Sequence, residues 1–246
     1  MHTVTPPPIV DLKEFTLMPG AAAHGLVSVN LTIEEAYLWR IDTPDPAQAR
    51  LLLRALATLE RPDRGRYHFK GELLDFSDYR HLLPVKRRIA YISSDAALIS
   101  NRTLRENLLL GRFYHENSLE IRLDDRIRVL IDCFDLADKL EIRAARLSQL
   151  DRRIAICIRE IAKEPDLLLI YRPEDMIDHQ RFDPFVEHLE STAADTLGGL
   201  VFSNDEAFLE RFTNCRLKLN KGQLEVAASY ADAADQERPP SGSAPL

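Results

Sequence analysis

The chain of 246 residues reads as an α/β protein, and three stretches carry that expectation. From Leu38 to Ile41 a short strand candidate runs into the turn Thr43-Pro44-Asp45-Pro46, after which Leu52, Ala55, Leu56 and Leu59 recur at helical spacing. Leu167 to Ile170 is short, apolar and unalternated, the pattern of a parallel strand buried on both faces. Val27 to Ile33 alternates as V-S-V-N-L-T-I, the pattern of a half-buried strand.

Residues 1–8 read as a loose leader, and Ile9 to Leu12 as a first strand. The helix after the turn starts well. Asp45 suits the N-cap, Pro46 the first helical position and Gln48 the capping-box position, while Arg50, Arg54 and Glu60 lie off the apolar stripe. Arg66 to Phe69 and Leu73 to Leu74 suggest a hairpin around Lys70-Gly71-Glu72, and Ile89 to Ser93 a further strand. Thr103 and Glu106 have capping-box spacing. Residues 119–143 read as an amphipathic helical region, with Ile127, Leu130, Ile131 and Phe134 on its apolar stripe and its charges on a solvated face. Ser148 can cap a second helix through S-x-x-D, whose stripe is Leu150, Ile154, Ile158 and Ile161. Leu200 to Ser203 is a further strand candidate. From Ala227 the composition shifts to Ala, Asp, Ser and Pro, which reads as a disordered tail or a short docking peptide.

Composition bounds the function. With 45% hydrophobic residues the chain is long enough for one large domain or two small ones. A net charge of −7 argues against a general nucleic-acid binder, which needs a basic surface. Cys133, Cys157 and Cys215 are far apart and form no C-x-x-C, so neither a zinc site nor a disulfide framework is expected. Cys157, in an apolar helical run, reads as a small core residue. The first ten residues lack the apolar run of a secretory signal, and no stretch approaches the roughly 20 apolar residues of a membrane span.

Six segments, in order, resemble the ATP-binding cassette (ABC) transporter ATPases, over about residues 9–226. The stretch 52–65 matches the helix after the family's Walker A loop through Leu52, Leu53, Arg54, Ala55, Leu56, Glu60, Arg61, Pro62, Asp63 and Gly65. Thr103, Glu106, Asn107, Leu108 and Gly111 resemble the start of its helical subdomain, Pro173 its Walker B region, and Asp178 its D-loop. The resemblance implies a P-loop NTPase-like fold: a mostly parallel central sheet, an N-terminal antiparallel sheet and a helical subdomain over roughly 96–160.

At the family's working positions the residues differ. The three Walker A glycines fall on Thr43, Pro46 and Gln48, the lysine on Ala49, and the serine and threonine on Arg50 and Leu51. Pro46 lacks an N–H, and Asp45 places a carboxylate where phosphate would sit. The Q-loop glutamine falls on Ser94, and the signature L-S-G-G-Q on Leu147, Ser148, Gln149, Leu150 and Asp151. The two Walker B acids fall on Tyr171 and Arg172 and the switch histidine on Asn204. A phenol is a poor magnesium ligand, and a guanidinium cannot act as a general base. Phe15 is the nearest candidate for the adenine-stacking aromatic, and reads as core.

The resemblance therefore leads to four expectations. First, the chain is a catalytically inactive ABC-type subunit, structural or regulatory in a transporter complex. It has no catalytic or metal-ligating residue and no cofactor, where the family uses ATP and magnesium. Second, its partners are a permease subunit, a homo- or hetero-dimer with another ABC ATPase, or both, and no nucleic acid. Third, it is cytoplasmic, or peripheral on the inner face of the membrane through a partner. Fourth, Arg172 pairs with Asp45 across the emptied pocket. Two alternatives stand beside this reading. One is weak ATP binding or hydrolysis, for example with Arg50 reaching phosphate. The other is a soluble interaction module unrelated to transport.

Overall fold

The computed structural model describes residues 6–18, 25–116, 122–192 and 197–226, so most of the expected leader and all of the expected tail lie outside the described residues. Along the chain, β1 (Val10–Leu17) and β2 (Leu26–Ile33) precede β3 (Leu38–Asp42) and α1 (Pro46–Leu56). A short hairpin of β4 (Arg64–Phe69) and β5 (Glu72–Leu73) follows, then α2 (Tyr79–Arg87) and β6 (Ile89–Ile92). Next come α3 (Leu104–Leu108), α4 (Leu110–Glu116), α5 (Asp125–Cys133), α6 (Gln149–Ile161) and β7 (Leu167–Tyr171). After them run α7 (His179–Thr192), β8 (Gly198–Phe202), α8 (Glu206–Phe212), β9 (Cys215–Asn220) and β10 (Gln223–Val226).

The strands form two sheets. One is antiparallel in the order β2-β1-β4-β5, and the other runs β10-β9-β3-β8-β7-β6, parallel except for β10 at its edge. The register pairs Trp39 with Leu200, Leu169 with Leu200 and Tyr171 with Phe202, so β3, β7 and β8 end at one edge. That edge is where chain segments leave the parallel strands and a site can be built.

Helix α1 is buried between the sheets. Gln48, Ala49, Leu52, Leu53, Ala55 and Leu56 are all shielded, and they share one core with β1, β2, β4 and one face of the parallel sheet. Burying Leu52 or Leu56 contributes roughly 1.5–3 kcal/mol each. A second core on the opposite face gathers the apolar stripes of α3, α5, α6, α7 and α8. Cys157 lies within it at 1% exposure, and no disulfide joins the three cysteines. Phe15 packs edge-on to Tyr67 at 6.5 Å and is fully buried, as its core reading requires.

Several elements differ from the sequence reading. Helix α1 stops at Leu56, because Thr58 turns left-handed at φ 56, and Leu59 is left 46% exposed. Among the described residues of the amphipathic region, the α-helix is the nine-residue α5. Asp124 caps it by accepting from the Ile127 N–H, and Asp135 at φ 55 turns the chain out beyond it. Two helices have no counterpart in the sequence reading, α2 and α7. Each contains a proline, Pro84 and Pro184, a residue that reads as a helix breaker. Among the described residues, no helix is long and apolar enough to cross a membrane.

Candidate functional site

The loop from β3 to α1 is closed by its own side chains. The Asp45 carboxylate accepts from the Ala47 N–H at 3.0 Å and from the Gln48 side-chain amide at 3.2 Å, while the Thr43 hydroxyl accepts from the Asp45 N–H at 3.2 Å. Asp45 is thus the expected N-cap, satisfying a helix-end donor and the positive end of the helix dipole. Gln48 does not complete a capping box. Its carbonyl oxygen accepts from the Gly222 N–H at 2.8 Å, across 174 residues of chain, and the side chain is buried. The β9–β10 turn is a tight fit there: Gly222 has φ 78, and a Cβ on it would lie 2.3 Å from the Gly25 carbonyl oxygen.

Ala49 is fully buried in the core beneath the loop, and Leu51 packs partly against the same core. Arg50 points the other way. It donates twice to the carboxylate of Asp95, through Nε at 2.7 Å and through Nη2, and this hydrogen bonding holds its pKa above the usual value. Arg50 is therefore engaged within the chain rather than free to reach a phosphate. Asp95 was not among the sequence candidates, since a single aspartate 45 residues away carries no local signal. Its neighbour Ser94 is exposed.

At the end of β7, Tyr171 stacks on Phe202 with ring centres 5.5 Å apart. Arg172 adopts a left-handed conformation at φ 50, ψ 66, and its N–H donates to the Phe202 carbonyl at 2.7 Å. The expected Arg172–Asp45 pair does not form. The Arg172 guanidinium lies 3.0 Å from Asp175 and 3.7 Å from Glu174, and faces the Asn204 amide, which accepts from it once its oxygen is turned inward. The reason is local. Asp45 is consumed by its own helix end, whereas the turn after Pro173 sets two acids beside Arg172. Glu174 also accepts from the Ser203 hydroxyl and the Asn204 N–H, at 2.7 and 2.9 Å.

Ser148, Gln149 and Leu150 lie elsewhere, at the start of α6. The Ser148 hydroxyl accepts from the Asp151 N–H at 3.0 Å, the cap that S-x-x-D implies. Leu150 packs partly on the core, so its side chain is structural. Burial opposes ionisation of Asp151, yet hydrogen bonds from Lys139 and Ser148 hold its pKa below the usual carboxylate range.

No protein-family model matches the chain. The molybdenum import ATP-binding protein ModC of Rhizobium etli is 28% identical over 183 residues, 74% of this chain and 51% of that protein. The methionine import ATP-binding protein MetN of Thermobifida fusca is 31% identical over 162 residues, 65% of this chain and 50% of that protein. Among solved structures, an ATP-binding subunit of an ABC transporter superposes with a TM-score of 0.79 at 21% identity, covering 93% of this chain and 92% of that one. The chain's homologues are ABC transporter ATP-binding proteins, and its structural neighbours are ABC cassettes. It spans about half the length of the curated relatives it matches.

A second solved ABC cassette, the post-hydrolysis dimer of MJ0796 bound to ADP and Pi, matches with a TM-score of 0.73 at 19% identity, over 89% of this chain and 97% of that one. These comparisons correct one expectation. The expectation of no cofactor is overturned, because the relatives are ATP-binding proteins and a structural neighbour holds ADP and Pi. In the arrangement described, the loop's groups do not fit the phosphates with magnesium. The Ala47 donor is taken by Asp45, Pro46 has none, and the β7 end offers a phenol and a guanidinium.

Proposed function

We propose that this chain is a catalytically inactive ABC ATPase-like subunit, a structural or regulatory component of an ABC transporter complex. One observation carries the reading: Arg172 ends β7 with its guanidinium held by Glu174 and Asp175. Arginine stays protonated at any working pH, so this position supplies no base for an attacking water. The reading treats residues 9–226 as one cassette domain, with a helical subdomain at roughly 96–160. Its partners are a membrane permease and a second ABC cassette, the same chain or another, and it meets the membrane only through them.

A docking face supports the partner reading. A cavity of about 590 Å³ opens between α2, α3, α4, α5 and α6, with apolar Leu83, Leu108, Leu110 and Ile127 beside basic Lys86 and Arg87. A second cavity of about 320 Å³ adjoins it through the shared Lys86, Arg159, Glu160 and Lys163, and is walled by Asp95, Ala96 and Ala97. The test is phosphate release from magnesium and ATP, by the chain alone and with co-expressed permease and cassette partners. Release by the purified chain is expected at background. Release that Arg172→Ala abolishes would overturn the reading.

A further inference from the structure

The stretch that leaves β6 forms one wall of the smaller cavity through Asp95, Ala96 and Ala97. It belongs to no strand or helix, and side chains hold it from two sides. From α1, Arg50 grips the Asp95 carboxylate with two donors, and Arg54, one helical turn on, lies 3.7 Å from the same group. From α6, Arg159 donates to the Ala97 carbonyl at 3.1 Å. Further along, the buried Asn107 amide accepts from the Ile99 N–H at 2.7 Å and donates to the Ile99 carbonyl at 3.1 Å.

A forked guanidinium–carboxylate contact fixes orientation as well as distance. The Asp95 side chain is only 18% exposed, so salt screens this contact less than an open surface pair. Arg50 and Arg54 both stand on a helix that is itself locked between two sheets. The wall is therefore tied to a helix packed against both sheets.

We propose that Asp95 is a positioning residue that clamps this wall to α1, so that the cavity keeps its shape whether or not a nucleotide is present. The clamp is a property of the isolated chain. Its consequence, partner docking that needs no nucleotide, rests on the docking reading above.

Amide hydrogen exchange on the full chain tests it. The Ala96 and Ile99 N–H groups, bonded to the Ser93 carbonyl and to Asn107, are expected to exchange slowly without nucleotide. Adding magnesium and ATP should change their rates by less than about twofold, and Asp95→Asn should speed them by about tenfold, leaving β8 amides as they were. Arg50→Gln, at a half-exposed position that the fold tolerates, should act in the same direction with a smaller effect, since Arg54 remains. Protection that appears only with magnesium and ATP would overturn the clamp, as would unchanged Ala96 and Ile99 rates in both variants. A chain that releases phosphate yet keeps nucleotide-independent protection sinks the proposed function and leaves the clamp standing.

Discussion

Gln48, which the family resemblance sets against a phosphate-loop glycine, has a side chain that does a job no glycine can. Its two amide ends join Asp45 to the turn at Gly222, so the start of α1 and the last hairpin are bolted together. Truncation would strand the Gly222 N–H in a buried position and expose part of the Asp45 carboxylate to rearrangement. Gln48→Ala is expected to cost about 1–3 kcal/mol, read from a lower urea midpoint at unchanged slope. At this scale the sequence was half legible. It placed Asp45 at the N-cap but gave Gln48 the capping-box position, whereas the partner of Gln48 lies 174 residues away and leaves no trace in local pattern. Arg172 shows the same limit. Its charge was evident and its acids, Glu174 and Asp175, were adjacent in the chain, yet only the left-handed turn at Arg172 brings them round to it.

Among the elements, α1 and α6 were readable because a cap and an apolar stripe agree in each. Helices α2 and α7 were not, because their internal prolines sit near the N-terminal side of a turn that tertiary packing then completes, as Phe185, Val186 and Leu189 do for α7. Strand β3 and helix α8 are tied by a pair that no spacing reveals. Arg40, 7% exposed, donates to both oxygens of Glu206, at 2.5 and 2.8 Å, and to Asp42 at 2.9 Å. Glu206→Gln leaves that buried guanidinium with Asp42 alone. The Glu206 side of the pair is open to solvent, so the expected loss is about 1–2 kcal/mol rather than the larger cost of a sealed pair. The hydrogen bond from Arg40 holds the Glu206 pKa below the ordinary glutamate value. A carboxylate depressed on folding stabilises fully above its unfolded pKa, and that stability drains away as pH falls through the folded one. Acid titration of thermal stability should therefore fall less steeply below about pH 4 in the Gln variant than in the parent.

At the scale of the whole molecule, the fold is shared with ABC cassettes, and the packed cores and the loop at the sheet edge are built in different ways. Apolar stripes from strands and helices build the two cores, while at the sheet edge Asp45, Gln48 and Arg50 are each satisfied within the chain. That division explains why the fold was legible and the site was not. A core is written in local periodicity, which a single chain displays, whereas an altered site is written in pairings between segments far apart. The sealing of the two cores has a further consequence for the thiols. Cys133 is exposed, whereas Cys157 and Cys215 are shut away, and burial pushes the Cys157 thiol well above its ordinary pKa. Alkylation in native buffer should modify Cys133 promptly and the other two only as fast as the molecule opens, with all three reacting at once in denaturant. Mass spectrometry of the slow phase thus turns Cys157 into a clock for global unfolding, built into the protein without any added label.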